Sequence, residues 1–247
     1  MAKNTGAGDE VVSEEASMLA ARLVRRLKTQ GWTLATAESC TGGLLSSTFT
    51  DISGASEWFR QGWVTYSNES KAIDLGVPEE AIAKKGAVSH EVARLMAQGA
   101  AKAAGTEVAI STTGIAGPTG GTASKPVGTC YVGISLGDSY LVRKGEYGGA
   151  DRASNKHSFV LFALQKALEA WDAHFERKAE FEAAQAEAEA AAAAGEEVPD
   201  LDEALVAMSG DLDAWRETRW SEEKTVSETV AESSRSNLAD AVEWGDE

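Results

Sequence analysis

The chain predicts an α/β fold, a three-layer α/β/α sandwich around a mixed sheet, and three observations carry that prediction. Short apolar runs at 32–37, 108–113 and 127–136 read as buried strands. Stretches with helical apolar period lie between and around them. Gly137 and Asp138 can turn the third run back into Tyr140–Val142 as a hairpin, so the sheet mixes parallel and antiparallel strands.

The elements follow in order. Residues 1–10 are small and polar and are expected to be disordered. From Val11 to Gln30, Ala16, Leu19, Ala20, Leu23, Val24 and Leu27 share one helical face. The strand at 32–37 runs into a turn, and a helix follows over 42–50. Trp63–Tyr66 reads as a strand, and the polar stretch 67–71 as the start of a short helix. Pro78-Glu79-Glu80 opens another helix that ends near Gly86, and Ser89 caps a long one carrying Val92, Leu95, Met96 and Ala100. The strand at 108–113 delivers a glycine-rich loop, Gly114 to Gly121. After the hairpin, Asp151–Trp171 forms a helix with a broad apolar face of Phe159, Leu161, Phe162, Leu164 and Leu168. Residues 178–198 are rich in alanine and glutamate, 200–219 can form one more short helix, and 221–247 are acidic and serine-rich. The expected organisation is thus a disordered 1–10, one domain over 11–172 and an acidic, helical or disordered tail over 173–247, in which Trp215, Trp220 and Trp244 are possible anchors for a partner.

Charge and composition exclude several classes. Residues 1–170 carry 17 basic and 17 acidic side chains, whereas 171–247 carry 6 and 22, so the net charge of −16 resides in the tail. Such a tail repels nucleic acid and anionic membranes, and the balanced front part offers no basic stripe. No apolar run approaches the ~20 residues that span a bilayer, and the acidic N-terminus does not read as a signal peptide. Cys40 and Cys130 are too few for a disulfide framework, which fits the cytoplasm, and His90, His157 and His174 lack zinc-like spacing. No structural metal is expected.

The turn Ala37-Glu38-Ser39-Cys40-Thr41-Gly42-Gly43 is the chemical focus. A strand-to-helix turn with two glycines lets a ligand approach the backbone closely, and its hydroxyls and thiol include a candidate nucleophile. It also reads as an ordinary N-cap serine among small residues. It lacks the spacing of a phosphate-binding loop or an esterase elbow, and the glycine loop at 114–121 lacks the dinucleotide fingerprint. Lys71 reads either as a solvated surface charge or as a desolvated base toward a serine hydroxyl. Arg152, at a helix start that favours acids, suggests an anionic partner.

These blocks together, Ala37 to Gly43, Gly62-Trp63-Val64-Thr65-Tyr66-Ser67-Asn68-Glu69 with Lys71, Gly86-Ala87-Val88-Ser89, Gly114-Ile115-Ala116-Gly117-Pro118 and Lys125-Pro126-Val127-Gly128-Thr129, resemble the CinA C-terminal domain family over about residues 15–170. Stand-alone members of that family are nicotinamide-nucleotide amidases. The resemblance implies hydrolysis of nicotinamide mononucleotide to nicotinate mononucleotide and ammonia in pyridine-nucleotide salvage, without a cofactor, by a homo-oligomer. It places the family's serine–lysine dyad on Ser39 and Lys71. Residues expected to bind the substrate are Thr41, Gly42, Gly43, Tyr66, Thr113, Gly114 and Arg152, with oxyanion donors at the helix start or at Thr113-Gly114. The sequence departs from the family's Gly-Asp-Arg pattern by the extra Ala150, and Lys156 stands at the second basic place. The alternatives are a non-catalytic nucleotide-binding or competence-linked module, and a protein that works mainly through its acidic tail.

Overall fold

The computed structural model describes residues 6–148, 151–195 and 210–212. Six strands form one mixed sheet in the order β2-β1-β3-β4-β5-β6: β1 Leu34–Glu38, β2 Phe59–Val64, β3 Val108–Gly114, β4 Thr129–Leu136, β5 Ser139–Glu146 and β6 Gly210–Asp211. β1 runs parallel to β2 and β3, the β3-β4-β5 meander is antiparallel, and β6 joins β5 in parallel. Helices cover both faces, which makes the three-layer sandwich that the strand and helix alternation predicts.

The two faces differ because residues on a strand alternate. Leu34, Val108 and Ile110 point toward α1 (Gly6–Gln30), α2 (Leu44–Thr50) and α6 (Arg152–Ala194), where they join Leu23, Leu27, Phe49, Phe159 and Leu164 in the larger core. Ala35, Ala37 and Ala109 point the other way, toward α3 (Asn68–Leu75), α4 (Glu79–Lys85) and α5 (His90–Ala104). Small residues on that face let α5 press its backbone onto the sheet. A Cβ at Gly133 would lie 2.3 Å from the Ala93 carbonyl oxygen, and Ser111 Oγ donates to the same carbonyl at 2.6 Å. Substituting Gly133 would force α5 away from the sheet.

Several boundaries differ from the sequence reading. α1 begins at Gly6, so part of the stretch expected to be disordered is helical, while residues 1–5 lie outside the described residues. β2 covers 59–64 rather than 63–66, because it pairs with β1 from Leu34↔Phe59 through a bulge to Glu38↔Val64, leaving Tyr66 beyond the strand. The helix expected to stop at Trp171 continues to Ala194, and the boundary at 172 falls inside it. The continuation is held by packing: Trp32 meets Trp171, His174 and Phe175 with ring centroids 5.3–5.7 Å apart, and Ala173 and Arg177 are buried. Gly210–Asp211 is a strand rather than part of a helix, and Leu212 beside it is fully buried. The remainder of the short helix expected over 200–219, the three tail tryptophans and the serine-rich end lie outside the described residues. No described helix is long and apolar enough to cross a membrane.

Candidate active site

Parallel strands β1 and β3 end side by side, and the site sits just beyond them. Ser39 follows the last residue of β1, and its N–H donates to the Thr112 carbonyl at 2.9 Å, which ties the turn to β3. Gly42 and Gly43 then take φ of +63° and +95°, left-handed values that side chains resist. They turn the chain into α2.

Lys71 arrives from α3. Ser67 caps that helix by accepting from the Ser70 N–H at 3.1 Å, so the polar stretch after Tyr66 becomes a helix with Lys71 in its second turn. The side chain runs inward and is 1 % exposed. Its Nζ lies 3.2 Å from Ser39 Oγ, 2.8 Å from the Thr65 carbonyl oxygen and 3.4 Å from the Ser67 carbonyl oxygen. Burial pushes the lysine pKa below its usual value, against a smaller opposing effect of the Cys40 sulfur. A neutral amine has two N–H donors and one lone pair. The two carbonyls accept the two donors, which leaves the lone pair for the Ser39 hydroxyl. The arrangement can therefore activate a serine without a histidine. His174, the most perturbed imidazole, bonds to Ser139, and burial depresses its pKa to about 4.

A third residue of the turn has a role that its type and position did not reveal. Glu38 is fully buried, and four donors converge on its carboxylate. Oε2 accepts from the N–H groups of Gly43 at 2.9 Å and Leu45 at 3.0 Å, and Oε1 accepts from the Ser46 N–H at 2.7 Å and the Ser46 hydroxyl at 2.6 Å. The Gly43, Leu45 and Ser46 amides at the start of α2 are thus committed to Glu38 and are not free for an oxyanion. The sequence carries only a partial hint, a carboxylate shortly before a helix start, where anions are favoured; the four donors around it are set by the fold.

The other expected site residues divide. Tyr66 and Arg152 come together across the mouth: Arg152 Nη2 donates to the Tyr66 hydroxyl at 2.5 Å and Nη1 to the Gly117 carbonyl at 2.7 Å. Asp151 caps α6 through the Ala153 and Ser154 N–H groups, which places Arg152 at its first turn, while Gly149 and Ala150 lie outside the described residues. Lys156, one turn on, brings its Nζ to 3.6 Å from where a Gly42 Cβ would stand. Among the described residues no carboxylate forms an ion pair with Arg152 or Lys156. Thr41 and Thr113 point elsewhere. Both are buried; the Thr41 hydroxyl bonds to Thr112 Oγ1 at 2.7 Å, and Thr113 donates to the Ala87 carbonyl at 2.8 Å, fixing the loop before α5. Gly114 is required by packing, since its Cβ would stand 2.6 Å from the Thr129 carbonyl oxygen.

The chain is 46 % identical over 142 residues to the nicotinamide-nucleotide amidohydrolase PncC of Enterobacter agglomerans, a match covering 58 % of this chain and 87 % of that protein. It is 43 % identical over 155 residues to the protein of the same name from Escherichia coli K12, covering 63 % and 94 %. The CinA-like protein of Kosmotoga olearia is 45 % identical over 159 residues, but the chain spans only 37 % of that relative's length. Among solved structures, the competence/damage inducible protein CihA of Agrobacterium tumefaciens superposes with a TM-score of 0.61 at 37 % identity, over 63 % of this chain and 94 % of that one. The model of the CinA C-terminal domain matches residues 16–171, the segment that holds every residue of the site, and the chain belongs to that family.

Proposed function

We propose that this protein hydrolyses the carboxamide of nicotinamide mononucleotide to nicotinate mononucleotide and ammonia, a step of pyridine-nucleotide salvage, with Ser39 as nucleophile and Lys71 as general base. The observation that carries the proposal is the buried Lys71 Nζ, 3.2 Å from Ser39 Oγ, with its two other directions taken by backbone carbonyls. The names of the Enterobacter and Escherichia relatives supply the substrate.

In the first half-reaction Ser39 Oγ bonds to the carboxamide carbon while Lys71 takes the hydroxyl proton. The tetrahedral adduct collapses, the C–N bond breaks, and Lys71 returns the proton to the departing nitrogen, which leaves as ammonia. In the second, water attacks the Ser39 ester, Lys71 takes its proton, and collapse of the adduct restores the serine hydroxyl. Since Glu38 occupies the Gly43, Leu45 and Ser46 amides, the oxyanion falls to the remaining backbone N–H groups of the Ser39 turn and the helix start or to those of Thr113-Gly114. Losing one such donor typically lowers kcat by roughly 10²–10³. Arg152 and Lys156, cations without a carboxylate partner at the mouth, are the groups for the 5′-phosphate. Lysine is the less specific of the two because it lacks the bidentate fork. No cofactor enters the scheme.

The same reading places the protein in the cytoplasm as a homo-oligomer. Val64, Tyr66 and Ile73, large and exposed apolar side chains, are candidates for such an assembly surface. The deciding experiment is ammonia release from nicotinamide mononucleotide. Turnover that vanishes in Ser39→Ala supports the proposal. Tight binding without ammonia release would favour a non-catalytic nucleotide-binding module instead.

A further inference from the structure

We infer that Glu38 is a positioning residue for the nucleophile: its buried carboxylate locks the Ser39 turn so that the hydroxyl stays aimed at Lys71. The inference rests on the amidase reading above and adds a residue to it. Ser39 sits between two fixed points. On one side its own N–H is held by the Thr112 carbonyl, and on the other the Glu38 side chain reaches past it to the Gly43, Leu45 and Ser46 amides. The chain from 39 to 42 is thereby spanned by a carboxylate brace of four hydrogen bonds, three of them to backbone. Bonds to an ionised acceptor are stronger than neutral ones, and a carboxylate alone can accept from all four donors.

Glu38 owes its charge balance to these donors and not to a cation, for no basic side chain pairs with it among the described residues. The brace is packed from outside as well. Thr36 Oγ1 and Ser46 Oγ are 2.7 Å apart, and a Cβ at Gly62 of β2 would stand 2.7 Å from Ser46 Oγ, so the edge strand closes over this hydroxyl pair. An ordinary helix cap would stabilise α2. This one also fixes the residues on both sides of a nucleophile that must meet an amine lone pair, where a shift of about 1 Å lowers rate by roughly 100-fold.

Glu38→Gln keeps the shape but presents an NH₂ group to backbone donors. With the amide turned toward Ser46, the hydroxyl can reverse its bond to Thr36, yet the Ser46 N–H is left without an acceptor. The expected result is a folded protein whose kcat falls about 10- to 100-fold while KM changes less than about threefold. The acidic limb of its pH–rate profile should stay where it is in the natural enzyme, because Lys71 remains buried. Simple loosening of the domain would instead raise KM and move that limb up toward the ordinary lysine range as water reaches Lys71. An unchanged kcat, or a loss confined to KM with a shifted limb, overturns the inference. If Glu38→Gln does not fold, Ser46→Ala removes one bond of the four and should lower kcat a few-fold at constant KM; an unchanged kcat there would equally overturn it. Should the natural protein release no ammonia, the amidase reading fails separately. Labelling of Ser39 by a fluorophosphonate, slower in Glu38→Gln than in the natural chain, then tests the brace; equal labelling rates would refute it.

Discussion

At the scale of single residues, the site depends on what burial does to Lys71. Desolvation favours the neutral amine, so the pKa falls below the usual 10.5 despite the opposing effect of Cys40. On the proposed mechanism the reactive form carries Lys71 without its proton, so kcat/KM should rise with pH and level off once the amine is neutral. The midpoint of that rise should lie below the ordinary lysine value, and a midpoint at or above it would mean that burial does not tune the base. Arg152 acts differently. It reaches Gly117 and Tyr66 from the rim, where a phosphate would be held equally in ground and transition states. Arg152→Ala should therefore raise KM about tenfold or more with little change in kcat, and Lys156→Ala should do so less. A fall in kcat at constant KM would place Arg152 in the chemistry. Ser39 and Lys71 are paired through the family resemblance, since their local settings alone leave Ser39 one nucleophile candidate among the hydroxyls and thiol of its turn and Lys71 equally readable as a solvated surface charge. Glu38 could not be given its role, since a carboxylate ending a strand ordinarily faces water and only the fold shows four donors around it. Thr41 and Thr113 were equally opaque, because the same hydroxyl can serve a ligand or a neighbouring strand.

At the scale of elements, apolar periodicity identified the helices and the central strands well, and it failed where tertiary contact decides. β2 begins four residues earlier and ends two residues earlier than the Trp63–Tyr66 reading, since its register is set by β1 through a bulge and not by its own apolar pair. α6 runs past Trp171 because His174, Phe175 and Arg177 find partners on Trp32 and Ser139, contacts between residues more than 30 positions apart. Its alanine- and glutamate-rich continuation gave no apolar face from which to read that. A consequence follows for truncation. A chain ending at Asp172 loses Phe175 from its stack on Trp171 and Trp32, along with buried Ala173 and Arg177. Removing a large core aromatic typically costs about 3–5 kcal/mol, which corresponds to a Tm lower by roughly 10 °C in a protein of this size. A chain ending at Gly195 keeps those contacts, loses β6 and Leu212, and should retain turnover with a smaller decrease in Tm. Equal melting of the two chains would show that the second half of α6 lies outside the cooperative unit.

At the scale of the whole molecule, a charge-balanced sandwich carries an acidic extension beyond the family match at 16–171. The mixed sheet was legible because a hairpin signal followed two buried strands, whereas a sixth strand of two residues, Gly210 and Asp211, has no sequence signature at all. The sheet brings β1, β3 and the start of α6 to one end, which is why Ser39, Lys71, Tyr66 and Arg152, spread over 114 positions of sequence, can share one site. The measurement that tests this account most directly is ammonia release from nicotinamide mononucleotide by the full chain and by Ser39→Ala, Lys71→Ala and the double variant, each confirmed as folded. If the two side chains act as one unit, each single change should lower turnover by at least about 10³-fold and the double variant should be little worse than either. Near-normal turnover in Ser39→Ala, or losses that multiply in the double variant, would contradict it.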